Sequence, residues 1–181
     1  MPPFLNFPPE LLLKAQGIRL AFFDVDGVLT DGGVLFSEQG ETLKRFCTLD
    51  GHGLKMLQKA GIVPAVITGR DSKPLRLRLS ALGITNAHFG VEDKLPAAEE
   101  TRQRLGLSWN ECAAMGDDWP DLPVIGRCGF SCAPPQAHVE VRQRVDYLTQ
   151  ALAGHGAARE FCDVLMVASG RYAGLLAEYT P

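Results

Sequence analysis

The run Phe22-Phe23-Asp24-Val25-Asp26-Gly27-Val28-Leu29-Thr30 constrains this chain most, because it sets two carboxylates and a glycine where an apolar strand must end. Ile18 to Phe23 carries a single charge among aliphatic and aromatic residues and reads as a buried strand. Asp24 and Asp26 stand at its exit, which in a parallel α/β sheet is where ligands bind. Two aspartates there are costly unless a metal or a phosphate chemistry uses them. A polar turn leading into the next element is the plainer account, and the run alone does not exclude it.

The chain has 181 residues, 46% of them hydrophobic, enough to bury one sizeable core, so a single domain over 1–181 is expected. A net charge of −3 leaves no basic excess to neutralise a nucleic-acid backbone, so small anions must be held locally. Cys47, Cys112, Cys128, Cys132 and Cys162 are odd in number, lack zinc-type pairing and lie in or beside apolar runs. They read as reduced core thiols of a cytoplasmic protein. Met1 to Leu13 has no basic start and is interrupted by Pro2, Pro3, Pro8, Pro9 and Glu10, so it reads as neither signal peptide nor membrane span. A short helix is expected after Pro9.

Downstream, strands alternate with helices. Val34-Leu35-Phe36 and Leu43-Lys44-Arg45-Phe46 are β-prone and joined by the turn-like Ser37-Glu38-Gln39-Gly40, which predicts a hairpin flap within 33–46, over the strand exit. Leu54, Leu57 and Ala60 mark a helix closed by Gly61, and Ala65-Val66-Ile67 the next buried strand, with Pro64 at its first position. Leu75, Leu79 and Leu82 mark a helix before Gly83, followed by a strand at Ala87 to Phe89. Asp93 is the expected N-cap of a helix carrying Ala98, Thr101 and Leu105 on one face. Cys112 to Met115, Gly129 to Ala133 and Val145 to Leu148 complete the strands, and Phe161, Leu165 and Ala168 mark a last helix. This alternation implies a doubly wound parallel sheet. Ala153-Gly154-His155-Gly156 reads as a flexible joint before a C-terminal tail at 154–181.

The strand exits carry Asp24 and Asp26, then Thr68-Gly69-Arg70, then Lys94 at a helix start, then Gly116-Asp117-Asp118 with Asp121. Converging on one face, such a set supports phosphoryl transfer, in which the protein mainly positions groups and neutralises charge. Asp24 can attack phosphorus and form an aspartyl phosphate. Asp26 can protonate the leaving oxygen and then activate water. The Thr68 hydroxyl and the amides around Gly69, at a helix N-terminus, can hold phosphoryl oxygens, and Lys94 can offset their charge. A magnesium ion takes one or two carboxylates plus substrate phosphate, which Asp24 and Asp117 can supply; Asp26 completes the expected metal set, and Asp118 or Asp121 would orient its waters.

This ordered set, over roughly Ile18 to Ser131, resembles the haloacid dehalogenase superfamily of phosphatases. Within it, Asp26-Gly27-Val28-Leu29-Thr30-Asp31-Gly32, Phe46-x-x-x-Asp50-Gly51-x-Gly53, Ile67-Thr68-Gly69-Arg70 and Gly156-Ala157-x-Arg159-Glu160-x-Cys162-Asp163 resemble the phosphatases of 3-deoxy-D-manno-octulosonate 8-phosphate. The resemblance implies a Rossmann-like fold, magnesium, that sugar phosphate as substrate, a place in lipopolysaccharide sugar synthesis, and a homotetramer whose flaps and tails close neighbouring sites. It also implies substrate contacts from Arg70 and, across subunits, from Arg159, which has no obvious partner in its own helix. Trp119-Pro120 and Cys47-Thr48-Leu49 depart from the family's usual residues. The intervals Asp31 to Thr68 and Arg70 to Lys94 leave no room for a cap domain, so the site is open unless covered from elsewhere.

Two rival functions differ in chemistry. A receiver-type phosphoacceptor domain would store phosphate without turning it over, but the second aspartate at Asp26 suits rapid hydrolysis. A phosphatase for a nine-carbon keto acid phosphate is nearer, and Arg70, where those enzymes tend to carry glutamate, favours the eight-carbon substrate. Other candidates are blander. Lys73, Arg76 and Arg78 read as a solvated face, and His52, His88, His138 and His155 share no metal spacing. Cys128 and Cys132 read as strand packing, and Trp109 and Trp119 as core or interface anchors.

Overall fold

A computed structural model describes residues 3–180; Met1, Pro2 and Pro181, and what the sequence reading says of them, lie outside the described residues. Six parallel strands form one sheet in the order β5-β4-β1-β6-β7-β8. These are β1 (Leu20–Phe23), β4 (Val63–Ile67), β5 (Asn86–His88), β6 (Cys112–Met115), β7 (Phe130–Ala133) and β8 (Tyr147–Leu148). A separate two-stranded sheet, β2 (Leu35–Ser37) with β3 (Gly40–Leu43), follows β1.

Side-chain alternation along β1 assigns the two faces. Ala21 and Phe23 pack with Val66, Met115, Phe130 and Cys132 under α1 (Pro9–Ala15), α2 (Thr48–Lys59), α3 (Lys73–Leu82) and α7 (Ala157–Ala168). Leu20 and Phe22 pack with Ile67, Ala114 and Ala133 under α4 (Lys94–Arg104), α5 (Leu122–Ile125) and α6 (Val139–Arg142). Short helix α8 (Tyr172–Ala177) closes the chain. Only the hairpin and α2 separate β1 from β4, and only α3 separates β4 from β5, so the doubly wound sheet carries a flap and no cap. No helix among the described residues is long and apolar enough to cross a membrane.

Several boundaries differ from expectation. The second flap strand is Gly40–Leu43, leaving Lys44, Arg45 and Phe46 as a connector into α2. Pro64 is the second residue of β4, tolerated because pairing with β5 begins only at Ala65. Asp93 occupies the N-cap of α4 but its side chain makes no capping bond. Beyond the expected last helix lies α8, which the sequence reading did not include.

The expected flexible joint is a buried corner. Gly154 N donates to Val28 O at 3.2 Å, and a Cβ on Gly154 would come within 2.5 Å of the Asp31 nitrogen, so the turn is pressed against the loop after β1. Helix α7 behind it belongs to the core: Ala157, Ala158, Phe161, Cys162, Val164, Leu165 and Met166 are buried, and Phe161 packs edge-on to Phe23 with ring centroids 5.4 Å apart. Asp50 caps this helix from α2, its Oδ1 accepting Arg159 N at 2.8 Å and its Oδ2 accepting Gly156 N at 3.3 Å. Gly53 keeps the two helices close, since a Cβ there would lie 2.9 Å from Arg159 Cδ. Asp50 and Gly53 thus dock α7, while Gly51 makes room for α3, a Cβ there lying 2.1 Å from Arg78 Nη2.

Candidate active site

The loops leaving β1, β4 and β6, with the first residue of α4, meet at the carboxyl edge of the sheet. They line a cavity of about 420 Å³ with Asp24, Asp26, Thr68, Gly69, Arg70, Lys94, Asp117, Asp118 and Asp121. The structure therefore brings together every site residue expected from the sequence except Arg159.

Lys94 is the charge centre of the cavity floor. Its buried Nζ donates to Asp24 Oδ1 at 2.5 Å and to Asp121 Oδ1 at 2.6 Å. Burial works against the ammonium, but Asp24 and Asp121 outweigh it and hold the Lys94 pKa above its ordinary value. Asp24 is pushed up to about 6, first by burial and then by Asp121, with Lys94 pulling the other way. A value of about 6 still leaves it ionised at neutral pH, as a carboxylate nucleophile requires.

Asp117 is held higher, at about 8, by burial and by the neighbouring charges of Asp24 and Asp121. Oxygens of Asp24, Asp117 and Asp121 lie within 4.8 Å of one another. Among the described residues no ion pair neutralises Asp117, so one ammonium faces three acidic groups. Such a surplus of close, buried carboxylate charge fits a small divalent cation with oxygen ligands. Asp121 is shared differently from the expectation. Its Oδ2 accepts the backbone N–H groups of Asp117 at 2.9 Å and Asp118 at 3.2 Å, so it braces the loop as well as joining the cluster. Gly116 allows this fold-back, because a Cβ there would meet the Asp121 Cβ at 2.3 Å.

Asp26 stands apart from the acidic cluster. Its carboxylate pairs with Lys44 of the flap connector and lies 3.8 Å from Arg70 Nε. Its expected place among the metal carboxylates is therefore not what the side chain shows; the group faces cations instead. Thr68 is buried, and its Oγ1 accepts the Arg70 N–H at 3.2 Å, fixing the turn after β4. Gly69 lies ahead of α3, whose N-cap is Ser72, so its amide belongs to a loop and not to a helix N-terminus.

Arg159 does not line this cavity. Its Nε donates to Asp163 Oδ1 at 2.9 Å, the helical partner the sequence reading missed at i+4. Sequence reasoning also missed Lys44 and Glu41 near Asp26. The signal was present, since both lie in the hairpin expected over the site, but an exposed-looking strand pattern does not show which charges turn inward. Of the blander candidates, Lys73 and Arg76 are exposed, whereas Arg78 is half-buried and donates to Cys47 O at 3.4 Å. The cysteines are unpaired, with Cys112, Cys132 and Cys162 buried. Trp119 is exposed, its Nε1 donating to His138 Nδ1 at 3.0 Å.

No protein-family model matches the chain. Individual relatives do. The 3-deoxy-D-manno-octulosonate 8-phosphate phosphatase KdsC of Escherichia coli (strain K12) is 40% identical over 162 residues, 90% of this chain and 86% of that protein. A crystal structure of the Moraxella catarrhalis phosphatase of the same name, in complex with magnesium, phosphate and KDO, superposes with a TM-score of 0.91 at 36% identity, covering 94% of this chain and 98% of that one. The cobalt-bound phosphatase of Haemophilus influenzae gives 0.86 at 39% identity over 88% of this chain and 94% of that one. With this identity along nearly the whole chain, and with the same fold, the chain belongs to the family of 3-deoxy-D-manno-octulosonate 8-phosphate phosphatases within the haloacid dehalogenase superfamily.

Proposed function

We propose that this protein hydrolyses 3-deoxy-D-manno-octulosonate 8-phosphate to the free sugar acid and phosphate, through an aspartyl phosphate on Asp24, as a step in lipopolysaccharide precursor synthesis. The observation that carries the reading is Asp24 itself: a buried carboxylate at a strand end, with Lys94 Nζ 2.5 Å away and Asp117 beside it. Asp24 attacks phosphorus while the bond to the sugar oxygen breaks. Asp26 gives that oxygen its proton, then takes one from the water that cleaves the aspartyl phosphate. The Thr68 hydroxyl and Lys94 face the phosphoryl oxygens and offset their charge. Magnesium, which Asp24 and Asp117 would hold, supplies charge neutralisation for the transferring phosphoryl group. Arg70, half-exposed on the cavity wall, is available to the substrate's carboxylate or hydroxyls.

The flap supports self-assembly, which we assign as a homotetramer. Leu35, Phe36 and Leu43 are 55%, 69% and 67% exposed on a two-stranded sheet that, among the described residues, pairs with no other strand. An isolated hairpin with an apolar surface is marginal in water and gains by pairing. The unpaired cysteines accord with a cytoplasmic location.

Phosphate release from the eight-carbon substrate, a nine-carbon keto acid 9-phosphate and an aryl phosphate, with and without magnesium, tests the reading. The expected result is preference for the eight-carbon compound, loss of turnover with excess chelator, and none in Asp24→Asn. Turnover in that variant, or preference for the nine-carbon compound, overturns it; one phosphate per chain without turnover restores the receiver alternative.

A further inference from the structure

Four charged side chains from three segments close a ring above the cavity. Asp26, on the loop after β1, pairs with Lys44 of the flap connector; Lys44 Nζ lies 2.9 Å from Glu41 Oε1 of β3; Glu41 Oε2 lies 3.8 Å from Arg70 Nη1; and Arg70 Nε lies 3.8 Å from Asp26 Oδ2. The signs alternate around the ring, but its members are not equivalent. The Lys44 side chain is 2% exposed and makes both of the close contacts, whereas that of Arg70 is 48% exposed and makes both of the long ones. Lys44 is thus the fixed member and Arg70 the one free to turn toward an incoming anion.

An ammonium this buried is kept there by its partners, and its partners are kept in place by it. Asp26 has no other close contact to a basic side chain among the described residues. Its two carboxylate oxygens are therefore distinguished: Oδ1 is occupied by Lys44, and Oδ2 remains loosely engaged toward Arg70 and the cavity. A proton-transferring carboxylate acts only when one oxygen is aimed within hydrogen-bond reach of the leaving atom.

We propose that Lys44 is the positioning residue for Asp26: it clamps one carboxylate oxygen, turns the other toward the leaving oxygen of the substrate, and through Glu41 makes that alignment depend on the flap being seated. The proposal rests on the proton-transfer role given to Asp26 above. It assigns the flap a part in the chemistry of its own chain.

Leaving-group dependence tests it. A sugar phosphate expels an alkoxide that needs a proton, and an aryl phosphate expels a phenolate that needs none, so a lost alignment of Asp26 slows phosphorylation of Asp24 by the first far more than by the second, while cleavage of the aspartyl phosphate slows alike for both. With magnesium present, Lys44→Met should slow the single-turnover phosphorylation step with 3-deoxy-D-manno-octulosonate 8-phosphate by about 10- to 100-fold, while the initial release of p-nitrophenolate from p-nitrophenyl phosphate, one per chain, changes by less than about 3-fold. Lys44→Arg, which keeps the cation, should recover most of the loss. Asp26→Asn must show the same selectivity. If Asp26→Asn slows phosphorylation by both substrates equally, the proton-donating role of Asp26 falls and the Lys44 assignment with it. If Asp26→Asn is selective and Lys44→Met is not, Lys44 is only a strut of the flap. Should Lys44→Met fold poorly, Lys44→Met with Glu41→Gln removes both buried charges together, and the same selective loss is required of it.

Discussion

Gly27 is pressed against Asp117: with φ at +94°, its missing Cβ would lie 2.1 Å from Asp117 Oδ2. The glycine after the two aspartates is therefore required twice, once by backbone conformation and once by the Asp117 carboxylate, which occupies its side-chain space. Gly27→Ala should cost about 1 kcal/mol for the backbone alone. Displacing Asp117 should remove turnover by more than about 100-fold, since a misplacement of 1 Å is enough for that. Steady-state kinetics beside a thermal melt separates the two effects. A folded variant with wild-type kcat would show that Asp117 is not needed where it stands.

The raised carboxylates make the metal-free fold sensitive to pH. Unfolded, Asp24 and Asp117 ionise near their ordinary value of 3.8; folded, they ionise near 6 and 8. Between those limits the folded state binds more protons than the unfolded one, so stability falls as pH rises from about 4 to about 8. Magnesium binds the ionised forms and reverses the loss, so its stabilising effect should grow from pH 6 to pH 8. At 100-fold over Kd it is worth about 2.7 kcal/mol, or about 5–10 °C in Tm for a chain of this size. Melting curves with and without magnesium across this range check it. A magnesium shift independent of pH would show that these carboxylates are not the ligands.

What could be read in advance was whatever repeats along the chain or clusters at strand ends. Cys112–Met115 has the expected limits, and Asp24, Thr68, Lys94 and Asp117 meet in one cavity because parallel strands all release their loops on one edge. What escaped reading depends on which way a charged side chain turns once packed. Lys44 looks like part of a solvated strand, yet its side chain is almost wholly buried against Asp26 and Glu41. Glycines misled in the same manner: Gly154 and Gly156 look like a hinge, but they serve close approach and a left-handed turn within the core.

The same buried corner decides what truncation should do. Removing the chain after Ala153 deletes α7, and with it the caps to Asp50, the contacts of Phe161 with Phe23 and Phe130, and the carboxylate of Glu160 that accepts the Gln150 and Ala151 N–H groups. Phe161→Ala alone should cost about 3–5 kcal/mol. The truncated chain should therefore fail to fold, visible as lost near-ultraviolet dichroism and insoluble expression. A soluble, cooperatively melting truncated protein would return α7 to the status of an appendage.

Arg70 is the residue whose expected role the geometry sharpens most. Both of its ion-pair contacts are long, at 3.8 Å, and about half of its side chain is exposed, so it can exchange Asp26 and Glu41 for an incoming carboxylate at little cost. Hydrogen bonds between charged groups are worth about 1.5–3 kcal/mol, or about 10- to 150-fold. Arg70→Ala should raise KM for the octulosonate phosphate by that range and leave its kcat within a few-fold, because Asp26 is still clamped by Lys44. An aryl phosphate, lacking the keto-acid carboxylate, should be hydrolysed almost as before. This separates Arg70 from Lys44, whose loss should appear in kcat. If Arg70→Ala lowers turnover of both substrates alike, its guanidinium serves the phosphate turn at Thr68 and not the sugar acid.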